Sequence, residues 1–128
     1  MSDKLANTCY ALLRIVTGFM FSFHGAQKIL GLFIEPSKKP ELWSQLWVGG
    51  IIELAGGLLV MVGYQTRLAA FFCSGMMAVA YFQFHWKFQL GEMILPGMNQ
   101  GEMAALYCFV FLYIACRGGV KWCIDRTK

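Results

Sequence analysis

The sequence predicts an all-α, polytopic membrane protein: a bundle of four transmembrane helices in one domain, residues 1–128. Three observations predict it. Hydrophobic residues fill 58% of 128 positions and charged residues only 14%, where a soluble domain is about a quarter charged. Mean hydropathy is +0.54. Four apolar segments follow one another, separated by short polar or glycine- and proline-bearing stretches.

The first segment, residues 10–33, exceeds the roughly 20 helical residues that cross a hydrocarbon core of about 30 Å. Glu35 to Glu41, with Pro36 and Pro40, breaks the helix. The second segment, 43–63, opens with Trp43 and Trp47, residues suited to a membrane interface. Tyr64-Gln65-Thr66-Arg67 reads as a tight turn, and the third segment occupies 68–88. Gly91 to Gln100 forms the longest loop, and the fourth segment is 101–116. The tail carries Arg117, Lys121, Arg126 and Lys128, with Trp122 expected at the interface. No cleavage motif follows the start, so the first span is expected to act as its own insertion signal.

Charge placement gives the expected orientation. Lys4, Arg67 and the four basic tail residues fall on one side, and Lys38, Lys39 and Lys87 on the other. The positive-inside rule then puts both termini in the cytoplasm of a bacterial-type inner membrane. The net charge of +4 is therefore read as topology, with no nucleic-acid partner expected. Arg14, near the inner end of span one, is read as an anchor that snorkels to the headgroups.

Ionisable residues inside spans cost about 3 kcal/mol on insertion scales and need a partner or a role. His24 and Lys28 sit one turn apart on one face of span one. Glu53 lies about 15 Å into span two, which brings it towards the depth of His24. His85 falls near the outer end of span three and Glu102 opens span four. Five ionisable residues from four helices are thus expected to converge on the outer half of the bundle. Glycines 49, 50, 56, 57 and 63 share the stripe of Glu53, and small residues let membrane helices approach closely. A contact of Glu53 with Lys28 or His24 follows.

Each of these residues also has a structural reading. Lys28 and Glu53 can be a buried ion pair that only holds two helices. Glu102, three residues after Asn99, fits a capping-box-like helix start. His85 fits an interfacial position, and Tyr81, Phe82, Phe84, Trp86 and Phe88 fit a membrane-interface belt. Cys9, Cys73, Cys116 and Cys123 map to the inner half and Cys108 mid-span, with no C-x-x-C pair, which disfavours outer-face dithiol oxidation. No phosphate loop, zinc site or serine nucleophile is visible, and no metal site is expected.

Taken in order, Arg14, Gly18, His24-Gly25-x-Gln27-Lys28, Gly50-x-x-Glu53-x-x-Gly56-Gly57, Gly63-x-x-Thr66-Arg67-x-Ala69-Ala70, Gly101-Glu102 and Trp122-x-x-Asp125 resemble the DoxX family. The resemblance covers nearly the whole chain. It implies a small four-helix inner-membrane protein, and its namesake resembles the small subunit of a thiosulfate:quinone oxidoreductase. Other members are described as partners of membrane redox complexes, assembly chaperones or cargo receptors. The tail departs from the family's closing glycine-proline-glycine-arginine-tryptophan run, having Arg117-Gly118-Gly119-Val120-Lys121-Trp122.

Two functional expectations follow. The first is a quinone-interacting subunit or partner of a soluble or membrane redox protein. His24, Lys28 and Glu53 would carry protons and stabilise charge on a quinone oxygen, with His85 and Glu102 completing the binding site. The second is a non-catalytic scaffold or assembly protein in which the polar cluster is a lock. A b-type haem between His24 and His85 is a minor alternative. A homodimer through the glycine faces is compatible with either, though it competes with packing inside the bundle.

Overall fold

The computed structural model describes residues 2–125. Among them, four α-helices run up and down: α1 (Asp3–Leu30), α2 (Gln45–Val62), α3 (Thr66–Ala80) and α4 (Glu102–Arg117). α3 continues as one π-helical segment, Tyr81–Trp86. The first and last described residues, Ser2 and Asp125, and the α2–α3 turn lie at one end of the bundle, the terminal end. The loops 31–44 and 87–101 lie at the other, the far end.

Local chemistry explains each boundary. α1 begins seven residues before the expected span because Ser2 caps it, its hydroxyl accepting from the Leu5 N–H, and Asp3 suits the first turn. At 28 residues α1 is about 42 Å long, so one end projects past a bilayer core. It stops at Leu30 because Gly31 adopts φ 72°, a left-handed stop that favours glycine. Trp43 falls outside α2. Ser44 caps that helix by accepting from Trp47 N–H at 3.2 Å, and the Trp43 ring leans on Trp47 at 5.0 Å.

α4 starts at Glu102, but Asn99 does not cap it as the sequence suggests. Asn99 is buried and turned into the far-end loop. Its amide donates to Met93 O at 3.0 Å and to Tyr81 OH at 3.2 Å, and its Oδ1 accepts from Gly101 N–H at 2.8 Å. A buried amide takes this place because the loop carbonyl and hydroxyl need partners there more than the exposed first turn of α4 does.

α1 and α2 form the tightest pair. A methyl group added at Gly18 would sit 2.6 Å from Gly57 O, and one at Gly57 would sit 2.5 Å from Ser22 N. The backbones themselves touch, a geometry only small residues permit. α3 packs on α4, and the pairs join through Val60, Ala70, Cys73, Met77, Phe111 and Ile114. Phe21 of α1 reaches α4, with its ring 4.6 Å from Phe111 and 5.3 Å from Tyr107.

Outward faces are apolar. Leu12, Leu13, Val16 and Phe19 on α1, Phe71 and Phe72 on α3, and Leu106 and Phe109 on α4 are exposed. Asp3–Leu30, Gln45–Val62 and Thr66–Trp86 are each long and apolar enough to cross a membrane. A surface of this kind is solvated by lipid, and the chain is an integral membrane protein of the helical-bundle class.

The terminal end corrects the reading of Arg14. Its guanidinium does not snorkel; it is 0% exposed. It donates to the carbonyls of Val60 (2.6 Å), Met61 (2.8 Å), Lys121 (3.1 Å) and Trp122 (2.6 Å). The first two are carbonyls of the last turn of α2, where Val60 O also accepts from the capping Gly63 N–H at 3.2 Å. The last two belong to a tail that folds back across the bundle. Asp125 N–H donates to Gly63 O at 2.8 Å. Its carboxylate accepts from Gln65 N–H at 2.7 Å and Thr66 N–H at 2.8 Å, so the tail caps the start of α3. Arg67 in turn donates to the carbonyls of Ala115, Cys116 and Arg117 at the end of α4. The departure of residues 117–122 from the family's run leaves this clasp intact.

Candidate functional site

The far half of the bundle holds a half-open cavity of about 430 Å³. All four helices contribute. Phe21, His24 and Lys28 come from α1, Gln45, Gly49 and Glu53 from α2, Met76 and Met77 from α3, and Met103 and Tyr107 from α4. The volume suits a small-molecule site, and so does the lining, mostly apolar, including aromatic and thioether side chains, with a few convergent polar groups.

The sequence places these groups for local reasons. His24 and Lys28 are one helical turn apart, so both project to the cavity side of α1. Glu53 sits on the face of α2 that carries Gly50, Gly56 and Gly57, all buried with it. Lys28 donates to Glu53 Oε1 at 2.6 Å. The carboxylate is buried, its side chain 6% exposed, while the Lys28 side chain keeps 33%. Of the two contacts expected for Glu53, the one with Lys28 is present. His24 lines the cavity beside the pair.

The π-helical segment positions the opposite wall. Widening the helix at Tyr81–Trp86 turns Phe84 and His85 towards the cavity; such segments recur at functional sites. Gln83, on the same segment, pairs its amide with Gln45 of α2. His24, His85, Lys28 and Glu53 therefore gather around one space. Glu102 does not. It lies exposed at the start of α4, beside Gly97 and away from the cavity lining.

Two groups have bonding capacity left over. Glu53 Oε2 and Tyr107 OH are buried, and neither has a hydrogen-bond partner. A buried polar atom without a partner costs about 1–3 kcal/mol and is rare enough in native proteins to call for an explanation. Both line the cavity. Tyr107 is the residue that sequence reasoning missed. In an apolar helix a tyrosine reads as core or belt, and only the missing partner of its hydroxyl marks it. Among the described residues, no three His, Cys, Asp or Glu side chains gather to hold one metal ion, and all five cysteines are free thiols.

The fold and the site define a class: a small helical membrane protein with a mostly apolar cavity lined on one side by a lysine–glutamate pair. The family model that matches is DoxX, over residues 9–86, and the chain belongs to the DoxX family. An uncharacterised protein of Haemophilus influenzae is 38% identical over 118 residues, covering 91% of this chain and 87% of that one. The inner membrane protein YqjF of Escherichia coli is 28% identical over 128 residues, covering 96% and 94%. No solved structure matches the chain.

Proposed function

We propose that this chain is a multi-pass inner-membrane protein, termini in the cytoplasm, that holds a quinone head group in its far-end cavity. It serves as the quinone-interacting small subunit or partner of a membrane redox complex. The inner-membrane name of the E. coli relative supports the location. The orientation rests on charge: Lys4, Arg67, Arg117 and Lys121 lie at the terminal end, against Lys38, Lys39 and Lys87 at the far end. Arg126 and Lys128, which also enter that count, lie outside the described residues.

The observation that carries the proposal is an apolar cavity of about 430 Å³ lined by His24, Lys28 and Glu53, whose buried Oε2 has no partner. Conversion between quinone and quinol moves two electrons and two protons. Electrons would pass to or from the partner complex. Glu53 and His24 would exchange protons with a ring oxygen, and Lys28 would stabilise charge on it. His24, Leu46, Phe84 and Met103 line the cavity and are exposed, so a lipid-soluble ring has a way in.

The test is mass spectrometry of small molecules extracted from protein purified in nanodiscs, followed by titration with added quinone. Wild-type protein is expected to carry or bind quinone, and a His24→Ala/Glu53→Gln variant to lose it. Wild-type protein that neither carries nor binds quinone sinks the proposal.

The scaffold reading has its own support in the glycine seam between α1 and α2, which the Lys28–Glu53 pair completes. Removing one partner of a buried pair is costly, whereas replacing both is often tolerated. If the pair is only a lock, Lys28→Met/Glu53→Gln restores function along with stability. A stable but inactive double variant rules that reading out. A b-type haem is favoured only by both histidines lining one cavity, and an absent Soret band after haem supplementation removes it.

A further inference from the structure

The unpartnered groups say which redox form the cavity prefers. We infer that it selects the reduced, hydroxyl-bearing ring over the oxidised dione, with Glu53 as hydrogen-bond acceptor and Tyr107 as second anchor. This rests on the quinone reading above and sharpens it.

The argument is an inventory of donors and acceptors. Glu53 Oε1 is already engaged by Lys28 at 2.6 Å, which leaves Oε2 as a buried acceptor with no donor. Tyr107 OH can both donate and accept. A dione brings acceptors only. It can take a bond from Tyr107 or from the remaining Lys28 protons, but it leaves Glu53 Oε2 desolvated and unpaired. A ring hydroxyl donates to Oε2 in a charge-assisted bond and still accepts from Tyr107 through its oxygen. The apolar walls, Phe21, Met77 and Met103, treat both rings alike. Discrimination therefore falls on the hydroxyl. Sites built to bond a hydroxyl reject an analogue without it far more strongly than apolar pockets reject a missing methylene.

The experiment is isothermal titration calorimetry on the full chain in nanodiscs under argon. Three probes share one ring size: trimethylhydroquinone, trimethylbenzoquinone and the dimethyl ether of the hydroquinone. The hydroquinone is expected to bind at least about tenfold more tightly than the other two. Tyr107→Phe should weaken hydroquinone and quinone together, because its hydroxyl can donate to either. Glu53→Gln keeps an oxygen for Lys28 and offers an amide N–H in place of the free acceptor, so the preference should vanish or reverse. Quinone or dimethyl ether binding to wild type as tightly as the hydroquinone overturns the inference and leaves the quinone reading standing. If no probe binds, both fall. Because the three probes are compared on wild-type protein, the result does not depend on whether Glu53→Gln folds.

Discussion

The two ends of the bundle bury charge in opposite ways. At the terminal end, Arg14 donates four hydrogen bonds to backbone carbonyls, and Asp125 accepts two from backbone N–H groups. These groups tie three helices and the tail into one clasp. At the far end, Glu53 lines the cavity with a single bond from Lys28, and its other oxygen is buried with no partner. Arg14 Nε and Thr66 Oγ1 also lack partners, but neither lines that cavity. The lesson is that an ionisable residue in a membrane helix is not in itself a sign of a site. What separates a lock from a site is whether the residue with unused bonding capacity adjoins a ligand-sized space.

The largest test of the contrast is Arg14→Met. It removes a donor from four carbonyls, of which Val60 O keeps the Gly63 N–H, and frees the tail, with an expected cost on the order of 4 kcal/mol. Thermal unfolding in detergent should show a marked drop, while the folded fraction keeps its affinity for the far-end ligand. Arg14→Lys should recover little, because an ammonium has three donors and lacks the planar fork that spans α2 and the tail. An unchanged melting temperature in Arg14→Met would mean that the clasp is incidental.

How much of this contrast the sequence reveals differs between the two ends. Hydropathy locates all four helices, and α4 lies within one residue of its expected bounds. It misplaces the start of α1, because Asp3, Lys4 and Asn7 are polar yet helical, and hydropathy reports burial in lipid, not helix ends. The cavity pair is legible because i, i+4 spacing and a glycine stripe are local patterns. The clasp is not, because Arg14 and Trp122 are over a hundred positions apart and nothing local says that the tail returns. Glu102 was grouped with the cluster by depth alone, and depth does not fix the face of the helix. Tyr107 needed the reverse information, a partner that is absent.

A second test compares the two halves of the α1–α2 seam. A methyl group at Gly57 meets backbone, Ser22 N at 2.5 Å and Gly18 O at 2.8 Å. One at Gly50 meets side chains, Lys28 Cβ at 2.9 Å and Ile29 Cδ1 at 3.1 Å. Backbone cannot yield without moving the helix, so Gly57→Ala should cost about 2–3 kcal/mol, in the range of overpacking. Gly50→Ala should cost a similar amount, since Ile29 can turn away but Lys28 Cβ moves only with the α1 backbone. It should also disturb ligand binding, because it pushes on Lys28. Binding lost in Gly57→Ala and kept in Gly50→Ala would break the link between the far half of the seam and the cavity.

The smallest effect is a pH dependence at the clasp. Burial raises the Asp125 carboxyl, but Thr66 and Gln65 donating to it, with the Arg14 guanidinium nearby, outweigh that and hold it below its ordinary value. Its folded-state pKa is thus lower than in the unfolded chain, where an aspartate titrates near 3.9. The stabilisation is fully present above that value and is lost as pH falls through the folded-state pKa. Asp125→Asn keeps one acceptor oxygen and loses the charge, with an expected cost of about 1 kcal/mol at pH 7. The gap in melting temperature between wild type and Asp125→Asn should stay constant from pH 7 to about 5 and narrow below about 4. The far-end ligand should bind both proteins equally throughout the upper range. A gap that closes near neutral pH would assign the titration to a group other than Asp125, and the clasp would then have to be held by Arg14 alone.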